Sequence, residues 1–226
     1  MTTQSVDTAV NEFRASLRGH YPNLAFAFQP IDAHLPALLP EEANLLSVNA
    51  VPKRRAEFQA GRAAASSALR QIGAAPVAIG KGDKGQPVWP QETVGSITHT
   101  AKLAIAAACP STAFTGIGID LEEDQRFNPD LAKAILTDAE MHRVQATNMD
   151  WGIYFSAKEA VYKAIFATIN KVIGFHDVEL EMSVDGSEYC ARPIIPFSPH
   201  FPPGKTFARG RILRSNGMIL SICVFS

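Results

Sequence analysis

Residues 151–166, WGIYFSAKEAVYKAIF, place the tightest constraint on how this chain folds. Aromatic residues at Trp151, Tyr154, Phe155, Tyr162 and Phe166 spread around most of a helix. A helix that is apolar on most sides is buried on most sides. Its polar positions are Lys158, Glu159, Tyr162 and Lys163. Glu159 and Lys163 stand four apart and share a face. On a surface, such a pair contributes roughly a few tenths of a kcal/mol. On a buried helix, the same charges need partners supplied by the rest of the chain.

One source of partners is residues 115–127, TGIGIDLEEDQRF. Ile117-Gly118-Ile119 reads as a buried strand, and Asp120, Glu122, Glu123 and Asp124 follow it. Strand residues at i and i+2 point to one face, so Asp120 and Glu122 lie side by side. They repel unless a cation sits between them. Taken alone, the segment is either a solvated strand end or a metal site. With Glu159 as a third oxygen donor, and water and phosphate completing six, the set suits Mg²⁺, or Mn²⁺ by the same donor chemistry.

The first half of the chain supplies cations. Lys53, Arg54 and Arg55 open a helix, and Arg62 follows Arg54 by eight residues, roughly on the same face. Lys81 and Lys84 lie in the loop GKGDKGQPVWP, and His99 stands at a strand corner. A KRR run alone is usually a solvated face, and a lone His is usually structural. The loop lacks the GxxxxGK[ST] spacing of a P-loop. Together, a cationic set and a separate carboxylate set suit a phosphorylated substrate handled with Mg²⁺.

The 226 residues allow one large or two small domains, and a net charge of −1 gives no sign of a nucleic-acid or membrane-surface role. Cys109, Cys190 and Cys223 lie far apart, an odd number without a CxxC pair, which fits a reducing cytoplasm. The N-terminal MTTQSVDTAVNEF has no apolar run of signal-peptide type, and no stretch is apolar for long enough to span a bilayer.

Apolar spacing predicts a helix over 53–72, stopped by Gly73. Strands are expected at 77–79, 94–98, 103–108 and 116–121, then helices over roughly 129–147 and 151–169. Strands follow at 176–182, 189–194, 206–213 and 219–224, with a five-proline loop at 193–204. Runs of strands beside a few helices give an α+β fold. An internal echo sets Phe58 over Tyr154, Arg62 over Lys158, Ala64 over Ala160, Ala68 over Ala164 and Leu69 over Ile165, a hint of two similar halves. Residues 1–45 carry little signal.

Five motifs then stand in order: R-R-x-E-F-x-x-x-R from Arg54, K-G-D-K-G-x-P-x-W-P from Lys81, G-S-x-T-H ending at His99, G-I-D-x-E from Gly118, and F-x-A-K-E-A-x-Y-K-A from Phe155. In this order the chain resembles the 4′-phosphopantetheinyl transferases. The likeness is to the larger, monomeric, pseudo-duplicated class that serves siderophore, polyketide and some fatty-acid synthases. It runs from about Arg54 to Phe175.

The resemblance implies two similar α/β halves about a pseudo-two-fold axis, 1–112 binding nucleotide phosphates and 113–226 carrying the metal and catalytic residues, with the active site at their junction. The implied reaction moves 4′-phosphopantetheine from coenzyme A to a serine of an apo acyl or peptidyl carrier protein and releases adenosine 3′,5′-bisphosphate. It implies metal binding by Asp120, Glu122 and Glu159, and catalysis by Glu159, Lys163, Asp120 and His99. Coenzyme A contacts fall to Arg54, Arg62, Lys81, Lys84, Thr98, His99, Lys158 and Lys163. Gln86 stands where the family often has Lys, so Lys84 is the expected substitute, and Thr98 replaces the commoner Ser. The carrier is expected to dock between Glu122 and Thr147. The residues leave two other readings open: a coenzyme A hydrolase, and a non-catalytic protein that binds coenzyme A or a carrier.

Overall fold

A computed structural model describes residues 3–32, 34–75, 77–124, 129–199 and 201–226. The chain divides into two compact units, Met1–Phe114 and Thr115–Ser226.

The first unit begins with α1 (Thr3–His20), which buries Val6, Ala9, Val10, Phe13 and Leu17, a stripe at helical spacing. Next come β1 (Ala25–Pro30), the short α2 (Pro40–Ala43) and the long α3 (Pro52–Gln71). The hairpin β2 (Gly80–Lys81) and β3 (Pro87–Val88) precedes β4 (Thr93–His99) and β5 (Leu103–Pro110). The sheet runs β1-β5-β4, all antiparallel. The central β5 is buried from Leu103 to Cys109, hence its unbroken apolar run. Its alanines meet Ala64, Ala65 and Ala68 of α3 in one core cluster, and small side chains on both surfaces allow close packing.

The second unit holds β6 (Gly116–Glu123), α4 (Pro129–Ile135), α5 (Asp138–Thr147) and α6 (Gly152–Ile169). A 3-10 turn (Phe175–Asp177) leads into β7 (Val178–Met182), β8 (Glu188–Pro193), β9 (Ala208–Ser215) and β10 (Met218–Phe225). The sheet order is β6-β10-β9-β8-β7, antiparallel throughout. The first strand of the unit therefore pairs with the last. α6 rests on β6: a Cβ at Gly116 would overlap the Ala164 carbonyl oxygen, and one at Gly118 the Ala160 carbonyl oxygen. The glycines of TGIGID let helix backbone touch strand backbone.

The α+β expectation holds. Two local expectations change. Residues 77–79 form no strand; pairing starts at Gly80, inside the expected loop. The helix expected over 129–147 is two helices, because the Thr137 hydroxyl accepts from the Glu140 N–H and starts α5 afresh. The five-proline loop is anchored by Phe201, which is fully buried against Phe207 and Phe225.

Candidate active site

In the first unit a cavity of about 440 Å³ is lined by Arg54, Arg62, Lys81 and His99, with Ser47, Asn49 and Ala50 on its border. Four of the residues expected to meet phosphate are thus brought together. Arg54 and Arg62 lie two helical turns apart on one face of α3. Arg54 Nη1 is 3.3 Å from His99 Nε2 and 3.8 Å from the Glu57 carboxylate.

Arg62 is buried, with its guanidinium stacked over the Phe58 ring at 4.5 Å. Its Nη2 donates to the Gly80 carbonyl at 3.3 Å, and its Nε lies 3.9 Å from Glu42 Oε1. Burial lowers the Arg62 pKa from its usual value; Glu42 opposes that shift and Arg54 adds to it.

Two expected contacts fall outside this cavity. Thr98 is buried on β4, and strand alternation turns it away from the face of Ile97 and His99, which line the cavity. Lys84 does not line it either. Its loop is a tight turn in which the Gln86 side chain accepts from the Lys84 N–H at 3.1 Å. The same side chain lies so close to Gly82 that a Cβ there would overlap it. Gln86 therefore serves the turn where the resemblance expected a charge.

In the second unit, Asp120 and Glu122 share the face of β6 that carries Gly116 and Gly118, so both are turned toward α6. Lys163 Nζ donates to Asp120 Oδ1 at 2.7 Å and to the Ile119 carbonyl at 3.1 Å. Asp120 is buried, and its Oδ2 has no hydrogen-bond partner among the described residues. Burial first, then the Asp120 charge, pushes the Glu122 carboxyl up to about 7, against the pull of Lys163. Burial also raises the Glu159 pKa, with Lys163 opposing and Asp120 adding.

Among the described residues, no three His, Cys, Asp or Glu side chains are gathered closely enough to hold a metal ion as they stand. The donor chemistry nevertheless fits one. Asp120 has a buried oxygen without a hydrogen-bond partner among the described residues, and the Asp120 charge adds to the raised pKa of both Glu122 and Glu159, a repulsion that a divalent cation offsets.

Lys158 is a correction. The resemblance turned its ammonium toward pyrophosphate. In the structure its Nζ is 2.7 Å from Glu140 Oε2 and donates to the carbonyls of Ile135 at 2.9 Å and Phe175 at 2.6 Å. A lysine has three donors, and all three are used. Burial lowers the Lys158 pKa, and Glu140 opposes the shift. Lys158 and its neighbour Glu159 both line a second cavity of about 270 Å³, with Tyr162, Ile173 and Phe175.

Two residues went unread in the sequence. Glu140 Oε2 accepts from the Thr137 N–H at 2.8 Å, and Oε1 from the Leu180 N–H at 2.7 Å. Glu42 repeats the pattern: Oε2 accepts from the Leu39 N–H at 3.3 Å, and Oε1 from the Ile79 N–H at 3.1 Å. Each glutamate closes the first turn of a short helix, ties it to a strand or to the residue just before one (Leu180 in β7, Ile79 ahead of β2), and faces the cation of a long helix. The cations are Arg62 and Lys158, the pair that the internal echo aligned. T-x-x-E at Thr137 was a legible capping box, whereas Leu39 offers no such signal. Arg55, read as part of a solvated run, clamps the cavity border by donating to Ala50 O at 2.8 Å and Val48 O at 2.6 Å.

A cationic cavity in one unit and crowded carboxylates on a strand in the other suit an enzyme that works on phosphate esters. The model of the 4′-phosphopantetheinyl transferase N-terminal domain matches residues 41–109, and that of the 4′-phosphopantetheinyl transferase superfamily matches residues 116–209. The chain is 37% identical over 194 residues to the 4′-phosphopantetheinyl transferase PptT of Mycobacterium tuberculosis, covering 82% of this chain and 85% of that protein. It is 34% identical to the 4′-phosphopantetheinyl transferase Npt of Nocardia iowensis, covering 66% of this chain and 68% of that one. Enterobactin synthase component D of Salmonella typhi is 41% identical over 118 residues, 50% of this chain and 48% of that protein. The chain belongs to the 4′-phosphopantetheinyl transferase superfamily.

Proposed function

We propose that the protein transfers 4′-phosphopantetheine from coenzyme A to a carrier-protein serine, with nucleotide phosphates held by the cationic cavity and Mg²⁺ by Asp120, Glu122 and Glu159. The transfer itself follows from membership of the family. The residue roles rest above all on one observation: Arg54, Arg62, Lys81 and His99 line a single cavity. Two arginines, a lysine and an imidazole form a donor set for a nucleotide that carries several phosphates.

The serine oxygen attacks the β-phosphorus. The bond from that phosphorus to the bridging oxygen breaks, and adenosine 3′,5′-bisphosphate leaves. Glu159 accepts the serine proton at a carboxylate oxygen; its raised pKa makes it a stronger base than a solvated glutamate. Lys163, held by Asp120 and the Ile119 carbonyl, sets a positive charge beside the carboxylates. When bound, Mg²⁺, or Mn²⁺ in its place, offsets charge on the phosphate oxygens.

The carrier docks on the segment from Glu122 to Thr147, of which residues 125–128 lie outside the described residues. One copy of the chain carries every assigned group, which favours a monomer. No helix among the described residues is long and apolar enough to cross a membrane, and this reading takes the cytoplasm as the working compartment.

The test is intact-mass spectrometry of apo carrier proteins after incubation with coenzyme A, Mg²⁺ and the protein, with a chelator control. A gain of one phosphopantetheine on a carrier, lost with chelator, is expected. Cleavage of coenzyme A without a gain on any carrier would overturn the transfer reading. A gain untouched by chelator would remove the metal role.

A further inference from the structure

We propose that Glu42 is a positioning residue that fixes Arg62 for binding the nucleotide phosphates; the proposal rests on the phosphate reading of the cavity. Glu42 is 5% exposed on a helix of four residues, an unusual place for a carboxylate unless it is paired. Its two oxygens gather three parts of the cavity. Through the Leu39 N–H it holds α2, which leads directly into the border segment at Leu45 and Ser47. Through the Ile79 N–H it holds the entry to Gly80 and Lys81. The third part is the Arg62 guanidinium, 3.9 Å away.

The other half of the chain shows what distinguishes this arrangement. Glu140 makes the same backbone bonds and faces Lys158 in Arg62's place. Three protein oxygens use every donor of Lys158. Arg62 has five N–H donors, and among the described residues one donates, to Gly80. Its Nε has no hydrogen-bond partner among them. Phe58 holds the guanidinium plane, Glu42 its Nε edge and Gly80 one amino group. The rest of the fork is left, pre-oriented, for an anion in the cavity that Arg62 lines. Arginine in one half and lysine in the other thus give one architecture two uses: an open donor set and a closed ion pair.

The experiment is a double-mutant cycle on the full chain, with calorimetric titration of adenosine 3′,5′-bisphosphate into wild type, Glu42→Gln, Arg62→Gln and the double variant. Each single change is expected to weaken binding about tenfold, and the double variant to bind no more weakly than Arg62→Gln alone. In turnover, Glu42→Gln is expected to act as a rise in KM for coenzyme A rather than a fall in kcat. Additive losses would mean that Glu42 merely supports the local fold, and would overturn the proposal. Unaltered affinity in Glu42→Gln would overturn it too, and would leave the phosphate reading standing. No binding by wild type would remove that reading and this proposal with it. If Glu42→Gln does not fold, Arg62→Lys decides. A lysine there spends its donors on Glu42 and Gly80, so a loss like that of Arg62→Gln is expected, and wild-type affinity would overturn the proposal.

Discussion

Lys158 and Glu159 are neighbours in sequence and line the same cavity, but their charges are used differently. The Lys158 ammonium is held by Glu140 and two carbonyls, while Glu159 is crowded by the Asp120 charge and drawn by Lys163. Glu159→Ala should lower kcat by at least a hundredfold with little change in the thermal melt, because a general base acts only at the proton it receives. Lys158→Met should do the reverse. Leaving Glu140 buried and uncompensated costs about 3–5 kcal/mol, to be read from urea unfolding.

Glu122 adds a pH dependence. Its folded pKa, about 7, lies above its ordinary 4.5, so between those values the folded state binds more protons than the unfolded state. The stability it contributes is present below about pH 4.5 and is lost as pH rises through 7. In chelator, the melting temperature should therefore fall between pH 5 and pH 8. Glu122→Gln should flatten the fall, and Mg²⁺ should reverse it by offsetting the charges of Asp120, Glu122 and Glu159.

At the scale of elements, the contact of α6 with β6 governs the second unit. Gly116, Gly118, Asp120 and Glu122 alternate with buried Ile117, Ile119 and Leu121, so one strand face carries both the packing glycines and the carboxylates. Helix packing and carboxylate placement therefore follow from one register. Gly118→Ala should destabilise by about 3 kcal/mol in equilibrium unfolding, since its Cβ meets backbone that cannot move aside. The register was legible in the spacing of TGIGID. The splitting of α4 from α5 was legible only through a capping box.

For the whole molecule, ligand linkage offers the readout. A ligand at a hundred times its Kd stabilises by about 2.7 kcal/mol. Adenosine 3′,5′-bisphosphate alone should raise the melting temperature, and a coenzyme A lacking the 3′-phosphate should raise it less, if the cavity of Arg54, Arg62, Lys81 and His99 holds that phosphate. Raising ionic strength should weaken both shifts, because exposed cations such as Lys81 and Arg54 are screened.

By itself the sequence determined the α+β class and the family, because hydrophobic period and motif order are local patterns carried along the chain. Helical period also set Arg54 and Arg62 on one face, while Lys81, Lys84, Thr98 and His99 joined them only through the motifs that carry the family resemblance. Only the tertiary structure decided which cations stay available. Lys158 matches its motif as well as Arg62 does, yet it is closed off by Glu140, 18 residues upstream in sequence and 2.7 Å away in space. Thr98 and His99 are adjacent in one motif, and the strand turns them to opposite faces. Whether a charge meets solvent, a ligand or a buried partner depends on contacts between distant segments, and no local pattern encodes those.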